Sequence, residues 1–578
     1  MKISNLLKAL SLAAVLTVLL TGCTSKIELH ENDQSPEGVA LENYLPIDTV
    51  LAMTLNLTDE GQKKDMAAIA EKFPQETAGK VIEGIIEELQ MEFDALETNI
   101  QEDFAPAFGD SPRMMLAMSG TFDTPEEPQE DPDIYLASTL ADRKKLEGIF
   151  DKWMENDPNY TKDELFNELI IDNESDDFYL AFYKDTFILT NKKQIRHEAL
   201  KRMHNNEESL LSNDMYKKAY EKMQSPNLGT FYLNYENYFD FIATLEDTNV
   251  YPMKLKEDFD LAIMMGVFAE NEGIKMLVTP TYSGDFNIPF HEPYLANGIP
   301  GDNLIMYMET YGMKQAVEMA FEDIYEFDED TSKELRKAEL LIKKTIGLDL
   351  REDVLSFMDK GVAFVWQRNE TMVPALSLYV DATSNPQGAQ EFIDLIDAAM
   401  LQAYDGMMMD APKGVDAEKV IVKDKAVIGK SEINRMSFNF SEMSEEELLA
   451  AGLPSGIFSE PIEFYYGLTI NNYLILSTYS GLEDSYGDVM TVGDTNAVED
   501  GRELLKDYPY NLSYVSFEEG FKYVDQIFED MEKVQGPMDD EAKEAYEAVR
   551  EFFAPVKYMV GADQKEESVA YVRIEEVR

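Results

Sequence analysis

The chain has 578 residues, 112 of them acidic and 50 basic, and a formal charge of −62. A field of that sign repels polyanions, so nucleic acid is excluded as a partner, and so is a membrane bound through anionic headgroups. Hydrophobic residues at 44% and aromatic residues at 11% supply real cores, which excludes a disordered chain, and the length admits more than one domain.

Residues 1–22 read as a lipoprotein signal peptide. Met1–Lys8 carries two positive charges, Lys2 and Lys8, and Leu10–Leu20 is an apolar run. A spanning helix needs about 20 apolar residues, and this run is roughly half of that. Leu20, Thr21, Gly22 and Cys23 resemble the lipobox of bacterial lipoproteins, in which small residues enter the peptidase and the cysteine thiol receives the lipid. Cys23 is the only cysteine of the chain. The expectation is cleavage before Cys23, acylation of its thiol, and a body held by its N-terminal lipid on the extracytoplasmic side of a membrane of the bacterial cell envelope. An ordinary secretory signal with an incidental cysteine is the competing reading. Each buried CH₂ contributes about 0.8 kcal/mol, so two or three acyl chains anchor without a spanning helix. No disulfide is then available, and stability rests on packing.

Residues 23–42 are polar and charged and read as a tether. The first half, 43–290, opens with a strand over Thr49–Leu57, a turn at Thr58-Asp59-Glu60-Gly61, and a helix over Gln62–Lys72 that Pro74 stops. Val81–Phe93 has a one-sided apolar pattern and reads as a second helix. Met114–Met118 and Ile134–Thr139 are strands. Between them Phe122–Asp133, with Pro125, Pro128 and Pro132 among many acids, is an exposed loop. Asp142 caps a helix carrying Leu146, Ile149, Phe150 and Trp153. Phe178–Phe182 and Thr186–Thr190 form a hairpin, and helices follow from Lys192 and Asp214. Gly229–Leu233 is a strand before a short aromatic helix, Tyr235–Leu245. Leu261–Phe268 and Ile274–Pro280 close the half as a second hairpin.

After a connector, Thr281–Pro300, the order starts again in the second half, 291–578. Asp302–Glu309 is a strand followed by a helix at Met313–Phe327. Glu352-Asp353-Val354 stands where Glu102-Asp103-Phe104 stood, and Pro374–Val380 leads into a helix from Pro386. Tyr466–Ser477 matches Tyr179–Thr190 over its length, and Asn511-Leu512 matches Asn227-Leu228. Pro555–Gly561 and Ser568–Ile574 make the last hairpin. Landmarks that recur in one order predict an α+β fold of two tandem, internally duplicated units, with antiparallel sheets and packed helices, after the lipoprotein signal peptide.

The opening of the first half, Leu45-Pro46-Ile47-Asp48-Thr49 through Asn56-Leu57 to Gly61-Gln62 and Phe73-Pro74, resembles the bacterial family known as domain of unknown function 3352. Glu102-Asp103-Phe104-Ala105-Pro106-Ala107-Phe108-Gly109 is similar to that family's segment before its next strand. Asn56 stands where the family often has Asp, and Ala107-Phe108 where Trp-Leu is more usual. The resemblance implies an envelope-exposed protein of unknown function and carries over no catalytic residue.

Few motifs of chemistry are present. Gly452-Leu453-Pro454-Ser455-Gly456 lacks the spacing of a nucleophile elbow, and Gly79-Lys80 lacks the frame of a phosphate loop. His30, His197, His204 and His291 are too scattered for a histidine-rich metal site, though His197 and His204, seven apart on a helix, can share a face. Asp172–Asp177 and Glu126–Asp133 offer oxygens to calcium without EF-hand spacing, and solvated loops explain them as well. Met407-Met408-Met409 reads as filling or loop rather than a copper site. The aromatic residues Phe231, Tyr232, Tyr235, Tyr238, Phe239 and Phe241 read as core before sugar or lipid platform. No catalytic residue, metal or cofactor is expected. The expected function is a non-enzymatic binding or scaffolding protein of the envelope, with an envelope protein or an apolar ligand as partner. A hydrolase using two carboxylates and a carrier of an apolar molecule are the alternatives.

Overall fold

The computed structural model describes residues 40–577 except 75–89, 91–97, 121–131, 176, 224, 239–260, 271, 283–290, 316, 319–332, 334, 335, 338, 342, 345–348, 370–372, 411–420, 441–460, 487–489, 537, 538, 565 and 566. Leu20, Thr21, Gly22 and Cys23, the helix expected at Val81–Phe93 (Gln90 apart), most of the Phe122–Asp133 loop and Gly452–Gly456 lie outside the described residues. The side chains of Met407, Met408 and Met409 do too. The fold is α+β, and the chain divides into two compact units. The first is Met1–Asp285 with Glu551–Pro555 and Ile574–Arg578; the second is Phe286–Arg550 with Val556–Arg573.

In the first unit, β1 (Thr49–Asn56), with Thr49, Val50 and Ala52 buried, leads to α1 (Glu60–Ala70). Asp59 caps α1 by accepting the Gln62 N–H at 2.8 Å. Then follow β2 (Arg113–Ser119), β3 (Asp133–Thr139), α2 (Arg143–Asn156), β4 (Tyr160–Leu165), β5 (Glu168–Asn173), β6 (Phe178–Tyr183), β7 (Thr186–Thr190), α3 (Lys193–Asn205), α4 (Asp214–Lys222), β8 (Gly229–Asn234), β9 (Leu261–Glu270) and β10 (Gly273–Tyr282). Every pairing is antiparallel, in the order β4-β5-β6-β7-β3-β2-β1-β8-β9-β10. Asp142 caps α2 by accepting the Lys145 N–H at 3.0 Å. The buried stripe of α2, Leu146, Ile149, Phe150 and Trp153, packs on Phe178, Leu180 and Leu189. Trp153 is fully buried and its indole N–H donates to Thr98 at 2.7 Å, so its one polar atom is satisfied. Packing extends back to Leu41 and Glu42, which the sequence pattern assigns to the tether. Both are buried, and Glu42 accepts hydrogen bonds from Arg113 and Tyr216.

The short motifs of the first strand have visible jobs. Thr49 donates its hydroxyl to the Pro46 carbonyl at 2.7 Å and closes the Leu-Pro-x-Asp-Thr turn. Gln62 donates to the Ala269 carbonyl and accepts the Ala269 N–H, at 3.2 and 2.8 Å, so its amide acts as one more peptide pairing with β9. Asn56 accepts the N–H and hydroxyl of Thr58. An aspartate accepts the same pair, which explains the interchange at this position.

The second unit contains β11 (Leu304–Thr310), β12 (Val362–Gln367), β13 (Ala375–Asp381), α5 (Pro386–Asp410), β14 (Ile421–Ile428), β15 (Ser431–Phe438), β16 (Ile462–Leu468), β17 (Tyr473–Ser477), α6 (Asn496–Leu504), β18 (Tyr510–Ser516), α7 (Phe517–Gln535), β19 (Val556–Asp563) and β20 (Ser568–Ile574). The order is β14-β15-β16-β17-β13-β12-β11-β18-β19-β20, antiparallel from β14 to β19. One expected correspondence shifts by a residue. Tyr179 pairs with Thr190, but it is Tyr465, not Tyr466, that pairs with Ser477. The β16–β17 turn is one residue longer than the β6–β7 turn, and an ungapped comparison cannot see that.

At the centre of this unit Glu309 is buried. Its carboxylate accepts the N–H groups of Tyr294, Leu295 and Ala296 at 2.9, 2.9 and 3.2 Å. It also accepts the hydroxyls of Tyr307 and Tyr311 at 2.6 and 2.8 Å. A buried carboxylate satisfied on this scale fixes the chain entering the unit against β11.

Candidate functional site

A cavity of about 250 Å³ lies in the second unit where α6 meets the β18–β19 pair. Its position follows from three local features. The apolar face of α6, Val498 and Gly501, turns towards β19. Gly501 lets helix and strand close up, since a Cβ there would stand 2.8 Å from both methyls of Val560. The next residue, Arg502, lines the cavity. Across from it the β18–β19 register slips between Tyr510 and Ser513, and Asn511 sits at φ +51. A slipped register re-aims side chains at a sheet's rim, and here Asn511 and Leu512 become cavity wall.

Polar and apolar groups share the lining. Leu505, Leu512 and Val560 are buried and apolar, while Glu292 and Lys506 are exposed at the rim. Asn511 is oriented by its own bonds: its side-chain N–H₂ donates to Asp563 at 2.6 Å and its backbone N–H to the His291 carbonyl at 3.3 Å. That leaves its Oδ1 buried without a partner. Nη2 of Arg502 is in the same condition. The sequence marked Asn511 only as a landmark of the repeat and Arg502 not at all. Arg502 sits in an ordinary helical pattern, and the left-handed conformation of Asn511 is seen only in the structure.

The sequence's other candidates fall elsewhere. Asp172 is not part of a solvated loop: it is buried on β5, where Arg196 and Lys193 hold its carboxylate. Asn173 turns to accept the N–H and hydroxyl of Ser175. Among the described residues of this segment, Asp172 and Glu174 both face Lys193, at 3.1 and 3.5 Å, so a cation already stands between them. His197 and His204 do share a face, and both pack on Phe166, with ring centroids 5.3 and 5.5 Å apart. Among the described residues, no group of three or more His, Cys, Asp or Glu is placed to hold a metal ion. Tyr232 of the aromatic stretch is buried edge-on against Tyr216. The carboxylates of Asp424, Glu463 and Glu483 gather around Arg435, a surface charge network rather than a facing pair in a pocket. The void beside Trp153 in the first unit's core measures about 10 Å³, too small for an apolar ligand.

Antiparallel sheets with packed helices define an α+β protein whose largest features are structural. The chain belongs to a family of proteins of unknown function, DUF3352, whose model matches residues 6–406. No curated protein and no solved structure matches it.

Proposed function

We propose that the protein is a lipid-anchored component of the bacterial cell envelope, a non-enzymatic binding or scaffolding protein whose body is one α+β unit duplicated in tandem. The observation that carries the anchor is the run from Leu10 to Leu20 ending in Leu20-Thr21-Gly22-Cys23. Among the described residues, no helix is long and apolar enough to cross a membrane. Acyl chains on Cys23 therefore supply the attachment in this reading.

Three correspondences support the duplication. The two strand orders are identical in sequence. β1 and β11 each carry a register slip at their second residue, Val50 and Ile305. A π-turn followed by a 3₁₀ turn precedes the second strand of each unit, at Ile100–Phe104 with Ala105–Ala107 and at Leu350–Val354 with Leu355–Phe357. π-Turns are rare, so recurrence at one topological position favours common descent over coincidence.

The binding role is assigned to the cavity on α6, which joins apolar walls to the polar side chains of Arg502, Lys506 and Asn511, the general character of a ligand site. The anchor is tested by labelling cells with an alkyne fatty acid and fractionating them. The wild-type chain is expected to take up label and sediment with membranes, and Cys23→Ser to lose both. Equal membrane association and equal mass in the two would overturn it.

A further inference from the structure

The chemistry of the α6 cavity turns on Arg502. Arg113, Arg143, Arg196, Arg351, Arg368 and Arg435 each meet a carboxylate. Arg502 does not: among the described residues no acid pairs with it, and its Nη2 is closed off without a hydrogen bond. With 112 acids to 50 bases in the chain, an arginine lacks a partner only where the fold withholds one. Partial burial of a charge without a partner is unfavourable; Nη2 itself is closed to the cavity, and an anion there relieves the delocalised charge through the part of the side chain that lines it.

We propose that this cavity binds a small monocarboxylate with an apolar body, with Arg502 as the residue that grips the carboxylate. This rests on the reading of the protein as a binding protein. The planar guanidinium matches a carboxylate fork. Lys506, four residues on, lines the same cavity, and its only ion pair among the described residues is a 3.7 Å contact with Glu503. It adds a second positive charge at the mouth. Glu292, which also lines the cavity, disfavours a dianion such as phosphate. Leu505, Leu512 and Val560 accept hydrocarbon. The volume of about 250 Å³ falls just under the range of roughly 300–1,000 Å³ of drug-sized sites, so the body is short. The corresponding elements of the first unit differ at these positions. Its β8 pairs with β9 without a slip, and Tyr220 follows Ala219 on α4 as Arg502 follows Gly501 on α6.

A free branched acid and the C-terminus of an apolar peptide present the same group, and two probes separate them: 4-methylpentanoate and acetyl-Ala-Leu. Each is titrated calorimetrically into the detergent-solubilised full chain, beside inorganic phosphate and isoamylamine. Saturable binding of at least one carboxylate probe is expected, with phosphate at least tenfold weaker and the amine silent. The tighter probe identifies the source. Arg502→Ala is expected to weaken binding at least tenfold and Arg502→Lys to restore part of it, with thermal melting reporting that both are folded. Ala562→Leu, which narrows the cavity and leaves the guanidinium in place, is expected to weaken binding as well. No saturable carboxylate binding, equal affinity for phosphate, or an Arg502→Ala protein that is folded and binds as before would each overturn the proposal. Fatty-acid labelling at Cys23 is read independently, so the anchor and the cavity stand or fall separately.

Discussion

Asn99 and Asp103 cap one another at the start of the first π-turn. Asp103 accepts the Asn99 N–H at 3.0 Å, and Asn99 accepts the Glu102 N–H at 2.9 Å. Asp349 and Asp353 do the same in the second unit, where Asp353 accepts the Asp349 N–H at 2.6 Å and Asp349 the Glu352 N–H at 3.1 Å. Losing such a cap costs about 1 kcal/mol. Asp103→Ala and Asp353→Ala are each expected to lower stability by that amount in urea unfolding. The sites share no partner and lie in different units, so the double substitution is expected to cost the sum. A strongly non-additive result would show that the two turns are not independent caps.

Glu309 sets the second prediction. Hydrogen bonds to a charged group are worth about 1.5–3 kcal/mol each, but they share one acceptor and do not add. Glu309→Gln places an N–H₂ among five donors and is expected to cost about 3 kcal/mol. A second readout is spectroscopic. Burial pushes the Tyr311 hydroxyl far above the ordinary tyrosine range, and the neighbouring Glu309 charge raises it further. In Glu309→Gln the Tyr311 hydroxyl, followed by its own ring resonance in NMR, is expected to ionise at lower pH than in the wild type, while remaining raised by its burial. An unchanged Tyr311 titration would mean that Glu309 does not act on that hydroxyl.

Residues that face the core were legible in the sequence, and residues at sheet edges were not. Phe178–Phe182, Thr186–Thr190 and the Asp142 cap were read correctly because apolar runs and capping side chains are local signals. The hairpins β4–β5 and β14–β15 were missed. Thr161, Lys162, Asp163 and Glu164 are exposed on β4, and Val422, Lys423, Asp424 and Lys425 on β14. Charge on an edge strand prevents pairing with other chains, and the same charge makes the strand read as loop. The α6 cavity was invisible for another reason. Arg502 and Asn511 are ordinary polar residues in sequence, and only the slip of β18 on β19 gives them a common space.

Asp381 predicts an acid dependence. Burial alone would raise its pKa. Hydrogen bonds from the Thr383 and Tyr294 hydroxyls and the Thr383 N–H outweigh that and hold it below the usual aspartate value. The unfolded chain therefore takes up the proton first. The contribution to stability is full above the unfolded pKa of about 3.9, and it is lost as pH falls through the lower folded value. Asp381→Asn is expected to be less stable at pH 7 by about 1–2 kcal/mol and to lose less on going from pH 5 to pH 3. Parallel urea-midpoint curves for the two proteins across that range would refute the assignment.

Arg196 and Asp172 form the buried pair that ties α3 to β5, with Lys193 adding a contact to the same carboxylate at 3.1 Å. Burial lowers the Arg196 pKa to about 10, still charged at neutral pH. Desolvation opposes the attraction within a buried pair of this kind, and Nε of Arg196 has no partner. Removing one member is expected to cost about 3–5 kcal/mol, because the other is left charged and buried. Replacing both with apolar residues removes that penalty. Asp172→Ala should therefore speed hydrogen exchange on β5 and β6, whereas Asp172→Leu with Arg196→Met should return exchange close to the wild-type rate. If the double substitution were as damaging as the single one, the pair would be contributing attraction beyond its desolvation cost, and its role would be to stabilise α3 on the sheet rather than only to fix where it docks.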